Sequence, residues 1–384
     1  MRWAAVLAGA LVLAGLASAA GPTPGGRPVV LRGCDPLYYE RVGMPQRLIV
    51  SNLPMEDSAH TAMHQMTQAI KVVLKDRRFR AGRFSVGYVS CDDSGPAGTS
   101  TGSRYAANAR AAARHPAVLA VIGTLDSFCA RAKLPVLAGA RLLLVSPLNT
   151  ADDLSGTLPP RLARLSATDS EQAAAAARFL RNAGARTVAA LSDGTSRGDL
   201  YRAAFVRAAV QLELRVVRRG ADAAYVGGLL AGPTRRTLTT ARRLAPGGPL
   251  ALAAGYGPVA QLADTAGQAV AEGAYLFVAG VPDERLGPPG QAWVRHFEAS
   301  VGTAPHPYGV YAAQSAQLVL DAIARSAGTR RAVARTILRA RVRNGLIGSF
   351  AFDRHGDVTP APVTIFRVHG RSADIVRVVD SGIP

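Results

Sequence analysis

VLAVIGTLDSFCARAKLPVLAGARLLLVSP, residues 118–147, sets one apolar run (118–123) and a second (141–147) on either side of a helical segment, 128–132, entered through Asp126 and Ser127. Unbroken Val, Leu and Ile runs of this length read as strands covered on both faces. A helix between two of them predicts strands of a parallel sheet. The rhythm extends in both directions. Upstream, RLIVSNL (47–53) and FSVGYVS (84–90) read as strands, with helices over 59–74 and 105–114. Downstream it starts again: helices over 172–182, 200–211 and 234–244 alternate with strands TVAALSD (187–193), LRVVRRG (214–220), LALAAG (250–255) and AYLFVAG (274–280). Helices over 311–326 and 330–341 follow. A β pair of GSFAFDRHGDVT (348–359) and PVTIFRV (362–368) comes next, with its turn near His355, Gly356 and Asp357. Two consecutive units of this kind predict an α/β protein of two doubly wound, Rossmann-like lobes with a crevice between them.

With 384 residues, 48% hydrophobic and 18% charged, the chain has enough apolar material for two cores and does not have a disordered composition. Its formal charge of +19 is carried almost wholly by arginine, since lysine occurs only at positions 71, 75 and 133. Pairs such as Arg235-Arg236, Arg242-Arg243 and Arg330-Arg331 are scattered over the predicted helices. No aromatic-interleaved stretch or basic recognition helix accompanies them, so they read as solvated faces and no nucleic-acid partner is expected.

Arg2, the apolar residues 4–16 and the small-x-small trio Ala17-Ser18-Ala19 make residues 1–19 a secretory signal peptide. Thirteen apolar residues are too few to span a bilayer. Residues 20–46, with Pro, Gly, Cys34, Tyr38 and Tyr39, read as a leader segment outside the main fold. In an exported chain Cys34, Cys91 and Cys129 allow one disulfide with one thiol left over, and there is no CxxC pair to suggest zinc or thioredoxin chemistry.

Six stretches in order resemble the type I periplasmic solute-binding proteins of the leucine/isoleucine/valine-binding group. They are VLAVIGTLDS (118–127), LLLVSPLNTADDL (142–154), ATDSEQAAAAARFL (167–180), TVAALSDGTSRGDLYRAAF (187–205), HPYGVYAAQSAQLVLDAI (306–323) and IGSFAFDRHGDVTPAPVTIFRV (347–368), within a resemblance covering roughly residues 47–370. The resemblance implies two lobes joined by a three-crossover hinge, with crossings near Ser166, Val281 and Ile347. Lobe 1 is then residues 47–165 plus 282–347, and lobe 2 residues 166–281 plus 348–384. It also implies a first-lobe half-site. Ser127, and Thr150 standing 23 residues beyond it, would hold a ligand carboxylate together with the backbone at Leu148.

The second-lobe half departs from the family pattern. Where amino-acid binders place an aromatic after a Gly-Gly turn, this chain has Leu229 after Gly227-Gly228. Where they place the carboxylate that pairs the ligand ammonium, it has Tyr256. A tyrosine, with an unperturbed pKa of about 10, does not neutralise an ammonium at pH 7. Arg197 aligns with a loop residue that covers ligand and favours an anion. Asp126 offers an alternative ammonium partner, and His60 is expected to face the cleft. In relatives a cysteine often stands where this chain has Tyr105, which leaves Cys91 without that partner. On this comparison the expected bridge is Cys34–Cys129, tying the leader to the lobe, with Cys91–Cys129 the alternative.

Three other patterns yield to simpler readings. Gly255-Tyr256-Gly257 mimics a dinucleotide turn but sits deep in the second unit, whereas that fingerprint opens its βαβ unit. MEDSAHTAMHQM (55–66) collects Glu56, His60, His64 and three methionines, a metal-like set that reads more simply as helix packing. Asp92-Asp93 reads as a loop anchor, and no GxSxG, HExxH or P-loop motif is present. The expected protein is therefore an exported, monomeric binder that uses no cofactor or metal and is not an enzyme. It would deliver a small polar metabolite, an amino acid or related carboxylate, to an ABC permease. It would touch the membrane only through that permease or an uncleaved leader. The alternative is a ligand-sensing ectodomain acting through a separate membrane receptor.

Overall fold

A computed structural model describes residues 31, 33–56, 60–94, 102–156, 160–228, 235–253 and 259–380. The signal peptide, the start of the leader, Leu229 and the Tyr256 turn lie outside the described residues. Strands β1 (Arg47–Leu53), β2 (Arg80–Ala81), β3 (Phe84–Asp92), β4 (Val118–Gly123), β5 (Leu143–Ser146) and β6 (Leu162–Arg164) form one sheet in the order β2-β3-β1-β4-β5-β6. It is parallel except for β2, a short antiparallel arm on β3. Every residue of β4 is buried, as an uninterrupted apolar run requires.

The second sheet takes β7 (Thr187–Ser192), β8 (Arg215–Val216), β9 (Ala223–Gly227), β10 (Leu250–Ala253) and β11 (Tyr275–Ala279) in parallel. Three further strands, β12 (Arg341–Gly345), β13 (Gly348–Phe352) and β14 (Val358–Thr359), form a small antiparallel sheet of their own. The last two, β15 (Pro362–His369) and β16 (Ser372–Asp380), complete the second sheet as antiparallel strands beside β11, in the order β16-β15-β11-β10-β9-β7-β8.

Helices α1 (His60–Asp76), α2 (Gly102–Arg114) and α3 (Ser127–Gly139) connect the first sheet. The second carries α4 (Asp169–Asn182), α5 (Ser196–Gln211), α6 (Arg235–Leu244), α7 (Val259–Ala266) and α8 (Gln268–Ala271). The chain then returns: after α9 (Pro288–Val301), α10 (Pro307–Ala324) packs along α1, and α11 (Arg330–Leu338) packs against β4. Local sequence explains the best-defined starts. Five consecutive alanines favour α4, and Thr168 and Glu171 close a reciprocal capping box at its entrance.

In each sheet the chain steps from its first strand to one side, then crosses back to the other. The reversals fall between β1 and β4 and between β7 and β9. Ligands in open α/β sheets bind beyond the carboxyl ends of the strands at such reversals, which places the region of interest after β1 and β4 and after β7 and β9, with the loop leaving β5 next to that of β4.

Several expectations need correction. PVTIFRV does not pair with GSFAFDRHGDVT. Across the His355 turn β13 pairs only with β14, while β15 lies on β11 from Ala279↔Val363 to Tyr275↔Arg367 and buries Val363, Ile365 and Val368. An apolar strand gains more by closing the open edge of a large sheet than by extending a small exposed one. LRVVRRG forms a strand only at β8, and both β8 residues are exposed, which explains the weak pattern. Helix α3 also runs past 132, through Pro135.

The leader is not outside the fold. From Cys34 to Tyr38 it runs antiparallel along β3, with Asp35 N–H donating to Ser90 O (2.7 Å) and Tyr38 N–H to Tyr88 O (2.8 Å). This register places Cys34 opposite Cys91, and the disulfide joins those two, 57 residues apart in sequence. Both expected bridges, Cys34–Cys129 and Cys91–Cys129, are thereby overturned. Cys129 instead stands free and buried on the first turn of α3, where burial pushes its thiol far above the usual range. Non-reducing denaturation followed by alkylation should label Cys129 alone, and label on Cys34 or Cys91 would refute the pairing. Replacing both Cys34 and Cys91 by serine should cost about 2–4 kcal/mol of stability in a denaturant titration.

Candidate functional site

The loop leaving β5 is fixed by its own polar residues. Ser146 Oγ accepts from the N–H groups of Leu148 (3.3 Å) and Asn149 (2.9 Å), and Asn149 exchanges hydrogen bonds with Thr124. Ser166 Oγ donates to Asn149 O (2.9 Å), and Asp169 N–H to Thr150 O (2.7 Å), so the chain crossing towards the second sheet is tied to the same loop. Arg164, fully buried at the end of β6, donates to Asp357 Oδ1 (2.8 Å), Ala151 O (2.7 Å) and Ser155 Oγ (2.6 Å). The loop is thus a rigid shelf.

Four side chains meet above this shelf. Thr150 comes from the loop, Asp169 from the first residue of α4, and Arg197 and Tyr201 from α5. The last pair lie four residues apart and share a helix face, with the guanidinium 5.8 Å from the tyrosine ring centre. Thr150, Asp169 and Tyr201 are 2%, 5% and 2% exposed, while Arg197 is part-buried at the edge of the cluster. Yet Thr150 Oγ1, Asp169 Oδ1 and Arg197 Nε have no hydrogen-bond partner among the described residues. Leaving such groups unpaired costs about 1–3 kcal/mol each.

Electrostatics mark the same place. Burial raises the Asp169 carboxyl above the usual carboxylate range, against the opposing Thr150 hydroxyl and Arg197 charge. Burial likewise pushes Tyr201 up to about 12, with Asp169 adding to it. For Arg197 burial works against the charge, but Tyr201 and Asp169 outweigh it and the guanidinium stays protonated. Entry of α5 into this position depends on close backbone approach. A Cβ on Gly198 would stand 2.1 Å from Asp193 Oδ1, and one on Gly227 only 2.4 Å from Gly198 O.

The sequence-derived residues are distributed as follows. Thr150 and Arg197 belong to the cluster. Ser127 is buried beside it, its Oγ accepting from Ala151 N–H (3.2 Å), and its own hydroxyl proton remains to be donated. Leu148 is buried, but its N–H is directed at Ser146. Asp126, not Ser127, caps α3: its Oδ1 accepts from Cys129 N–H (2.8 Å), which commits one of the two oxygens. His60 stands exposed at the first residue of α1 rather than in the cluster.

Asp169 and Tyr201 were not singled out from sequence. Asp169 looked like one more acidic residue in a helix's first turn, and Tyr201 like one more core aromatic. Behind the site Asp93 forms a fully buried ion pair with Lys133 and accepts from Asn108 Nδ2 (2.9 Å), while Asp92 Oδ1 accepts from Met55 N–H (2.8 Å). These carboxylates anchor loops. Among the described residues no group of three or more His, Cys, Asp or Glu side chains is placed to hold a metal ion.

No protein-family model matches the chain, and no curated protein does. Solved structures do. A leucine-binding protein of Thermotoga maritima is 22% identical with a TM-score of 0.70, covering 87% of this chain and 99% of its own. The branched-chain amino acid binder of Streptococcus pneumoniae in complex with isoleucine is 15% identical, with a TM-score of 0.69 and coverage of 87% and 99%. A solute-binding protein of a Rhodopseudomonas palustris ABC transporter in complex with 4-hydroxybenzoate is 16% identical, with a TM-score of 0.69 and coverage of 87% and 97%. The chain has the two-lobed fold of the type I periplasmic binding proteins that its sequence resembles.

Asp169 provides a test that needs no ligand. Its folded pKa lies above the unfolded value of about 3.9, so its contribution to stability is present below that value and is lost as pH rises through the raised one. Asp169→Asn mimics the protonated form. It should melt above the wild type at pH 7 and match it near pH 4. A variant that melts lower at pH 7 would mean Asp169 is a stabilising ion-pair partner instead.

Proposed function

We propose that this chain is an exported solute-binding protein that encloses a small carboxylate-bearing metabolite between its lobes and passes it, unaltered, to an ABC importer. The observation that carries this reading is the set of unpartnered buried atoms, Thr150 Oγ1, Asp169 Oδ1 and Arg197 Nε, set at the carboxyl ends of strands from both sheets. A guanidinium with two hydroxyls, Thr150 and Ser127, suits a carboxylate, and the Asp169 carboxylate suits an ammonium. An amino acid presents both charges at once. An aromatic acid of the kind bound by the Rhodopseudomonas palustris protein would use the Arg197 side and leave Asp169 protonated.

The lobes in this reading are residues 47–165 with 282–347, and 166–281 with 348–384, closing about crossings near Ser166, Val281 and Ile347. All strands of the first sheet fall in 47–164, and those of the second in 187–279 and 362–380, which supports the division. The β13–β14 turn is the exception in detail, because Arg164 N–H donates to Gly356 O (2.9 Å) and holds it on the first sheet. Phe128 and Leu200, close in sequence to Ser127 and Arg197, are 58% and 56% exposed and offer apolar footing on both lips for a permease.

A thermal-shift screen of amino acids and aromatic acids tests the reading, since a ligand at 100 times its Kd adds about 2.7 kcal/mol. For the compound found, Thr150→Val and Arg197→Gln should each weaken binding about tenfold or more, roughly 1.4 kcal/mol. Unchanged affinity in both variants, or recovery of a chemically altered compound, would sink the proposal.

A further inference from the structure

At the opposite end of the first sheet, beside the amino ends of β5 and β6, lies a groove of about 790 Å³. Four separate segments bring six arginines to it: Arg141 before β5, Arg161 before β6, Arg331 and Arg335 along α11 with Arg339 capping its end, and Arg354 in the β13–β14 turn. One carboxylate, Asp353, faces them. Among the described residues none of the six is in an ion pair, which is also true of most surface arginines in a chain of net charge +19; what distinguishes these six is that they converge on one groove.

All six arginines are exposed, and two further features mark their arrangement. Arg331, Arg335 and Arg339 recur every four residues, so three like charges share one helix face, an arrangement that repels itself. Their helix is also pinned in place. Arg330, just before them, donates to Val118 O (2.9 Å), Ala113 O (3.0 Å), Ala140 O (3.1 Å) and His115 O (2.7 Å), which holds α11 against the sheet. On the groove's floor lie Leu142, Ala334 and Leu338.

We infer that this groove is a second ligand site, for an organic anion carrying two or more phosphate groups. Guanidinium forks bind phosphate oxygens in pairs, and converging arginines without carboxylate partners match several phosphates at once. The apolar floor takes the organic body, and the volume falls in the range of about 300–1,000 Å³ typical of small-molecule pockets. Concavity disfavours a flat membrane surface. The site lies at the far end of the sheet from Thr150 and Arg197, so it stands or falls independently of the function proposed above.

The test is calorimetric titration of the full mature chain with adenosine triphosphate, inorganic triphosphate and phosphatidylglycerol vesicles as probes. The combined variant Arg331→Gln, Arg335→Gln, Arg339→Gln should bind adenosine triphosphate at least tenfold more weakly than wild type. A control losing the same charge elsewhere, Arg235→Gln, Arg236→Gln, Arg243→Gln, should bind as wild type does. Should the α11 variant fold poorly, Arg161→Gln with Arg354→Gln, in other segments, must give the same loss. An equal loss in the control would reduce the effect to the net charge of +19 and overturn the site. So would binding by vesicles alone, or failure of the wild type to bind adenosine triphosphate. Inorganic triphosphate binding as tightly as the organic probe would overturn the assignment of an organic ligand.

Discussion

A buried carboxyl group and a part-buried guanidinium, both with hydrogen-bonding capacity to spare, are the constraint on which this molecule turns. Arg197 and Asp169 approach each other where the crossing chain enters the second sheet, beside a threonine hydroxyl that is also unpaired among the described residues. Left to themselves these groups would rotate into solvent or recruit each other fully. They stay in place because the shelf beneath them is over-determined. Asn149 is bonded to Ser146, Thr124 and Ser166, and the Asp169 N–H is bonded to Thr150 O.

The rest of the interior shows that the chain can satisfy buried charge when nothing else is required of it. Arg164 spends its donors on Asp357, Ala151 and Ser155, and Lys133 pairs with Asp93 where neither touches water. Arg330 donates to five carbonyl groups. Against that background the incomplete bonding at Arg197 is a departure, and strained or unsatisfied groups in well-packed proteins concentrate at sites that act. The arginines of the α11 groove depart in another way, by converging from four segments with one carboxylate among them.

Much of the architecture was legible because burial writes itself into composition. Val118–Gly123 is apolar at every position since both faces of β4 are covered, and the alanine run of α4 with its Thr168/Glu171 box announces a helix start. Thr150 and Arg197 were legible as candidate residues through the stretches that resemble a known family. Asp169 was not, because an acid in a helix's first turn is ordinary until its neighbours are known. Helix α3 was read too short: it runs on to Gly139, past Pro135, a residue that disfavours a helix interior. The disulfide was misassigned because pairing depends on the register of the leader along β3, and three cysteines in a line of text carry no register.

By itself the sequence determined the α/β class, the two-unit repeat and the strand–helix order, since these follow from local periodicity and the need to bury apolar faces. Only the tertiary structure decided which polar groups converge. It placed β15 in the second sheet, set Cys34 against Cys91, brought Asp169 to Arg197 and gathered six scattered arginines around one groove. The physical reason is range. Hydrophobic patterning acts between residues a few positions apart, whereas a binding site is made of charges and donors that meet across long stretches of chain and whose meeting leaves no trace in their spacing.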